Sequence, residues 1–91
     1  MTKTEIIECM AAEAGISQAA ADRALKAFLN TIERSLAKGA PVSLVGFGTF
    51  VVSRRAERQG RNPKTGEPVN IPAAKVAKFR PGKGLKELLN P

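Results

Sequence analysis

The sequence predicts an α+β fold: a helical N-terminal half, a three-stranded antiparallel sheet extended into a long basic hairpin arm, and a short C-terminal helix. Three observations carry this. Apolar residues recur at three- and four-residue steps through the first forty positions. From Val42 the texture turns β-branched and aromatic around Gly46-Phe47-Gly48. Residues 54–75 are then polar and basic around the turn-forming run Asn62-Pro63-Lys64-Thr65-Gly66.

Thr2-Lys3-Thr4-Glu5 has the spacing of a capping box, in which hydroxyl and carboxylate satisfy orphan N–H groups at a helix start. Ile6, Ile7, Met10, Ala11 and Ala14 then share one helical face, and Gly15 supplies a left-handed stop. Ser17 caps a second helix, whose stripe runs through Ala21, Leu25, Phe28, Leu29, Ile32 and Leu36 until Gly39 and Pro41 end it. So short a connection predicts that the two helices lie together as a helical hairpin, making residues 1–40 a helical dimerisation half. Residues 41–53 and 76–81 are the expected sheet body. Residues 54–75 are the expected arm, in which Val69 and Ile71 alternate with Pro68, Asn70 and Pro72. Because proline cannot donate to a ladder, that side of the arm is an edge. Pro81-Gly82 turns the chain into a final helix over 83–90, carrying Leu85, Leu88 and Leu89. The whole is one domain, residues 1–91.

A chain of 91 residues has little core to bury, and without its arm only about 65 residues remain, which is marginal for independent folding. With no Trp and no Tyr, the bulk comes from four phenylalanines. Dimerisation is the expected remedy. Phe28, Leu29, Ile32, Leu36, Leu44, Phe47, Phe50 and Phe79 are the expected shared core. Phe47 and Phe50 could instead act as base-stacking platforms, but a chain so short of apolar bulk needs them for packing.

Charge points to the partner. The chain carries 15 Lys and Arg against 8 Asp and Glu, a net +7. Between Ser53 and Lys83 stand nine cations (Arg54, Arg55, Arg58, Arg61, Lys64, Lys75, Lys78, Arg80, Lys83) and two acids (Glu57, Glu67), so this third holds the entire excess. Elsewhere six cations balance six acids. A basic element on a neutral body implies a polyanion, with Arg55, Arg58, Arg61, Lys64 and Lys75 placed to meet phosphates or enter a groove. An Asn-Pro alone would simply set a turn. At an exposed tip between Arg61 and Lys64, however, the Pro63 ring is a rigid apolar wedge of the kind that enters a base step and kinks a duplex.

Other classes are excluded. There is no His and a single Cys, which removes internal disulfides, the usual zinc sites and His-based triads, so neither an enzyme nor a metal or cofactor site is expected. Gly46-Phe47-Gly48 lacks the helix and lysine of a nucleotide loop. Cys9 reads as a small buried or half-buried hydrophobe. Glu5, Glu8 and Glu13 interrupt any signal-like apolar stretch, and a cytoplasmic setting without membrane or small-molecule substrate is expected.

Gly46-Phe47-Gly48-Thr49-Phe50, Arg58, Gly60-Arg61-Asn62-Pro63-Lys64-Thr65-Gly66-Glu67, Ile71-Pro72-Ala73 and Phe79 with Gly82 together resemble the bacterial HU/IHF histone-like family over nearly the whole chain. The resemblance implies an intertwined dimer with a helical base, a sheet saddle and two arms in the minor groove of double-stranded DNA, on the nucleoid. It makes Pro63 the intercalating residue and sets Arg55, Arg58, Arg61, Asn62 and Lys75 along the groove. Lys3, Arg80, Lys83 and Lys86 become candidates for flanking phosphates. It implies self-association as a homodimer, or pairing with a paralogue, and preference for bent, nicked or kinked DNA. Ile71-Pro72-Ala73-Ala74-Lys75-Val76 is similar to HU, and Phe79-Arg80-Pro81-Gly82 to IHF subunits; the weight falls on HU with its weak sequence selectivity. Gly84 stands where the family often has a better helix former, which blurs the start of the last helix.

Overall fold

A computed structural model describes all 91 residues and divides them into two compact units, 1–34 and 35–91. The elements run α1 (Lys3–Ala14), α2 (Gln18–Ala37), β1 (Val42–Leu44), β2 (Gly48–Arg55), β3 (Arg58–Arg61), β4 (Pro68–Ile71), β5 (Ala74–Pro81) and α3 (Lys83–Leu89). Local chemistry sets their ends. Thr2 caps α1, its hydroxyl accepting from the Glu5 N–H at 3.3 Å. The capping box is only half made, because the Glu5 carboxylate accepts from the Thr2 hydroxyl, not from its N–H. Gly15, at φ 67°, closes the helix with its N–H on the Ala11 carbonyl. The Ser17 hydroxyl accepts from the Ala20 N–H at 3.1 Å to start α2.

The two helices share one compact unit, with Ala11 of α1 and Ala21 of α2 buried and Met10, Glu13, Ala14, Ile16 and Ala24 lining an open groove. One expectation for this unit fails: Cys9 is exposed, not buried or half-buried. The physical reason is that within one chain the helical stripes have little to pack on. The buried hydrophobic residues of the whole chain are Ala11, Ala21 and Ile32, and Phe28 remains 45 % exposed.

In the second unit the sheet order is β1-β2-β5, all antiparallel, and β3 pairs with β4 in a separate two-stranded ladder. The Phe47 N–H closes a turn on the Leu44 carbonyl, with Gly46 at φ 84° in the position that only glycine takes freely. Register decides the faces. Val42 and Leu44 lie beside Phe50 and Gly48, and Phe50 lies opposite Phe79. Phe79 packs between two rings, 5.3 Å from Phe47 and 5.0 Å from Phe50, at angles of 46° and 49° that suit tilted aromatic pairs. Gly48 is required there: a Cβ on it would come within 2.5 Å of the Phe79 ring and 2.6 Å of the Arg80 carbonyl. Gly84 is explained in the same way. It sits in the first turn of α3, where a Cβ would stand 2.7 Å from the Gly46 carbonyl oxygen, so close approach outweighs helix propensity.

Candidate nucleic-acid interface

The arm grows directly out of the sheet. β2 and β5 stay paired to Arg55↔Ala74, beyond residues 53 and 76; the ladder then lapses at Ala56-Glu57 and Pro72-Ala73 and resumes as β3 and β4 from Arg58↔Ile71 to Arg61↔Pro68. Pro72 interrupts the pairing because it lacks an N–H. Across this gap the Arg55 guanidinium donates to the Pro72 carbonyl at 3.3 Å, a side-chain bond at the place where the backbone ladder is missing.

The tip is tied by short bonds. The Asn62 N–H donates to the Glu67 carbonyl at 2.9 Å, and the Gly66 N–H to the Asn62 carbonyl at 2.7 Å, with Gly66 at φ 72°. The Asn62 side-chain oxygen accepts from the Lys64 N–H at 2.9 Å, an Asx turn spanning Pro63. The Glu67 N–H reaches the Thr65 hydroxyl at 3.3 Å. Pro63 is thus held in a hydrogen-bonded loop with its ring exposed, and Arg61 and Lys64 flank it, also exposed. Asn62 itself is half-buried, its carbonyl oxygen engaged in holding the loop.

Register separates the cations into faces, since directly opposite residues share a side and neighbours alternate. Arg58 lies opposite Ile71 and shares its face with Gly60 and Val69, whereas Arg61 lies opposite Pro68 on the face of Gln59 and Asn70. In the three-stranded sheet, Arg80 and Lys78 stand on the same face as Ser43, Thr49, Ser53 and Arg55, the side away from the phenylalanines. Lys75 stands on the other face, opposite Arg54. Lys83 and Lys86 are on α3, and Lys3 is on α1 in the first unit. Lys78 and Arg54 were not singled out from the sequence. Alternation along β2 and β5 would have found Lys78 as the neighbour of Arg80.

None of the arm cations has an acid within 4.0 Å. The ion pairs present are Lys26–Asp22 at 3.1 Å and Lys83–Glu87 at 3.9 Å, both four residues apart on helices. Lys83 is 90 % exposed, so that pair holds it weakly. Glu57 and Glu67, the acids of this region, stay exposed and neutralise none of it. No cluster of residues fit to hold a metal is present. No helix is long and apolar enough to cross a membrane.

The family model for bacterial DNA-binding proteins matches residues 1–90. The chain is 61 % identical to the DNA-binding protein HU-beta of Neisseria meningitidis serogroup A, over 98 % of its own length and 100 % of the relative's. The chain belongs to the HU family of bacterial DNA-binding proteins. HU-beta of Escherichia coli is 53 % identical over 99 % of this chain and all of its own. Among solved structures, an Anabaena HU–DNA cocrystal structure matches with TM-score 0.94 and 42 % identity, covering 100 % of this chain and 99 % of that one. HU from Thermotoga maritima matches with TM-score 0.72 and 34 % identity, covering 99 % and 100 %. The two-sided resemblance in the sequence is thereby resolved toward HU, whose members are architectural proteins rather than enzymes.

Proposed function

We propose that two copies of this chain form a dimer whose arms follow the minor groove of double-stranded DNA, each inserting Pro63 into a base step and bending the duplex with little regard to sequence. The observation that carries the reading is the arm itself: unpaired cations along a ladder with no core, ending in a proline whose loop is fixed by four hydrogen bonds. Unstacking a step costs a few kcal/mol, and a bent duplex brings more phosphates within reach of the body, which offsets that cost. Arg58 and Arg61, on opposite faces of the arm, suit the two walls of one groove. Arg80 and Lys78, on the open face of the sheet, suit the phosphates of DNA laid across it, and Lys3, Lys83 and Lys86 are the candidates for flanking phosphates.

Dimerisation is supported by surface. A folded monomer of 9.7 kDa exposes about 5,100 Å² by the usual scaling. This chain alone exposes 7293 Å². The excess, about 2,200 Å², includes the projecting arm and is of the size each partner buries in an obligate dimer. Phe28, Leu29, Phe47 and Phe79 all stay more than a third exposed and would be covered. A paralogue presenting the same apolar residues would serve as well as a second copy. Binding without strong selectivity suits compaction of the bacterial nucleoid in the cytoplasm.

The test is energy transfer between dyes at the two ends of random-sequence duplexes. Transfer should rise on adding protein, to a similar extent for unrelated sequences and more readily for nicked DNA. Binding without a change in end-to-end distance, or preference for structured RNA, would refute the proposal.

A further inference from the structure

Resting on the DNA-binding reading, we propose that Arg54 and Lys75 form a clamp at the base of the arm that holds one backbone phosphate between them. The two residues face each other directly across the β2–β5 ladder. Opposed residues in such a ladder have Cβ atoms about 5 Å apart, and like charges placed so are destabilising. Both side chains are exposed, and no carboxylate comes within 4.0 Å of either. Folding therefore gains nothing from this pair.

The position sharpens the point. The ladder ends one pair later, at Arg55↔Ala74, just before the unpaired stretch. Arg54, Arg55 and Lys75 line an open pocket there whose other walls are Ala56, Ala73 and Ala74. Alanines leave the two long side chains free to converge, and Arg55 is turned to the Pro72 carbonyl. A phosphate oxygen entering the pocket converts a repulsion into two charge-assisted hydrogen bonds and closes the loose end of the ladder. A duplex backbone is the fitting source, because the next cation along the chain, Arg58 at the start of β3, is also exposed and without an acid partner.

The experiment is the salt dependence of random-duplex affinity for the full-length protein and for Arg54→Ala, Lys75→Ala and the double variant. Each neutralised phosphate contributes about 0.9 to the slope of log affinity against log salt. A shared phosphate predicts that each single variant flattens the slope by less than about 0.5 and the double variant by about 0.9. Two independent contacts would give losses adding to about 1.8 and overturn the clamp, as would an unchanged slope in the double variant. A wild-type protein with no salt-dependent duplex binding would instead overturn the DNA-binding reading. Inorganic phosphate at matched ionic strength should leave the wild-type melting temperature unchanged. A rise that the double variant lacks would make the pocket a free-anion site and overturn the assignment to DNA.

Discussion

Removing Arg58 and Arg61 together should weaken binding to every duplex and flatten its salt dependence by a calculable amount. The two residues lie on opposite faces of the β3–β4 ladder and have no acid partner, so on the proposed reading they meet different phosphates and their losses add. Two phosphates at about 0.9 each make a slope change of about 1.8. Between about 50 and 200 mM salt this amounts to a roughly 12-fold smaller fall in affinity for Arg58→Ala/Arg61→Ala than for the wild type. Fluorescence anisotropy on a labelled random duplex across that range reads the slope directly. Equal slopes for the two proteins would place the footprint elsewhere, and a loss confined to one sequence would mean base readout instead of backbone contact.

Other outcomes follow from packing and association. Gly48→Ala drives a methyl into the Phe79 ring and the Arg80 carbonyl, so thermal unfolding should show a loss of about 1–3 kcal/mol with near-native helix content; an unchanged melting temperature would refute the close approach. Thr2→Ala removes the α1 cap and should cost about 1 kcal/mol, read in the same way, while leaving every arm cation in place and the salt slope unchanged. The melting temperature of the wild type should rise with protein concentration, because association stabilises by mass action. Concentration-independent melting, with a monomer mass by sedimentation, would contradict the dimer.

What the sequence disclosed and what it hid divide by range. Gly15, Ser17 and Gly46 act on residues within a turn of themselves, so their caps and turns were legible as spacing. Asn62 to Gly66 behaved likewise, since every bond of the tip joins residues at most five apart. A buried or half-buried Cys9 was misread for the opposite reason. Periodicity marks an apolar stripe but not its partner, and the stripes of α1 and α2 are left largely uncovered within one chain. Gly84 read as a weak helix former because the Gly46 carbonyl that forbids a side chain there lies 38 positions away in the sequence. At the interface, the charge of the arm was plain, while its division into faces required the register: Arg54 with Lys75, Lys78 beside Arg80, Arg58 apart from Arg61. The lapse at Ala56-Glu57 opposite Pro72-Ala73, spanned by Arg55, is equally a fact of pairing.

The bend angle of a random duplex bound by Pro63→Ala, measured by end-to-end energy transfer at saturating protein, decides whether the proline wedge bends DNA. The tip loop is held by backbone and Asn62 bonds that do not involve the proline ring, so the arm and its cations should persist while the wedge is lost. Affinity should stay within a few-fold of wild type while the bend becomes clearly smaller. A bend equal to that of the wild type would contradict it.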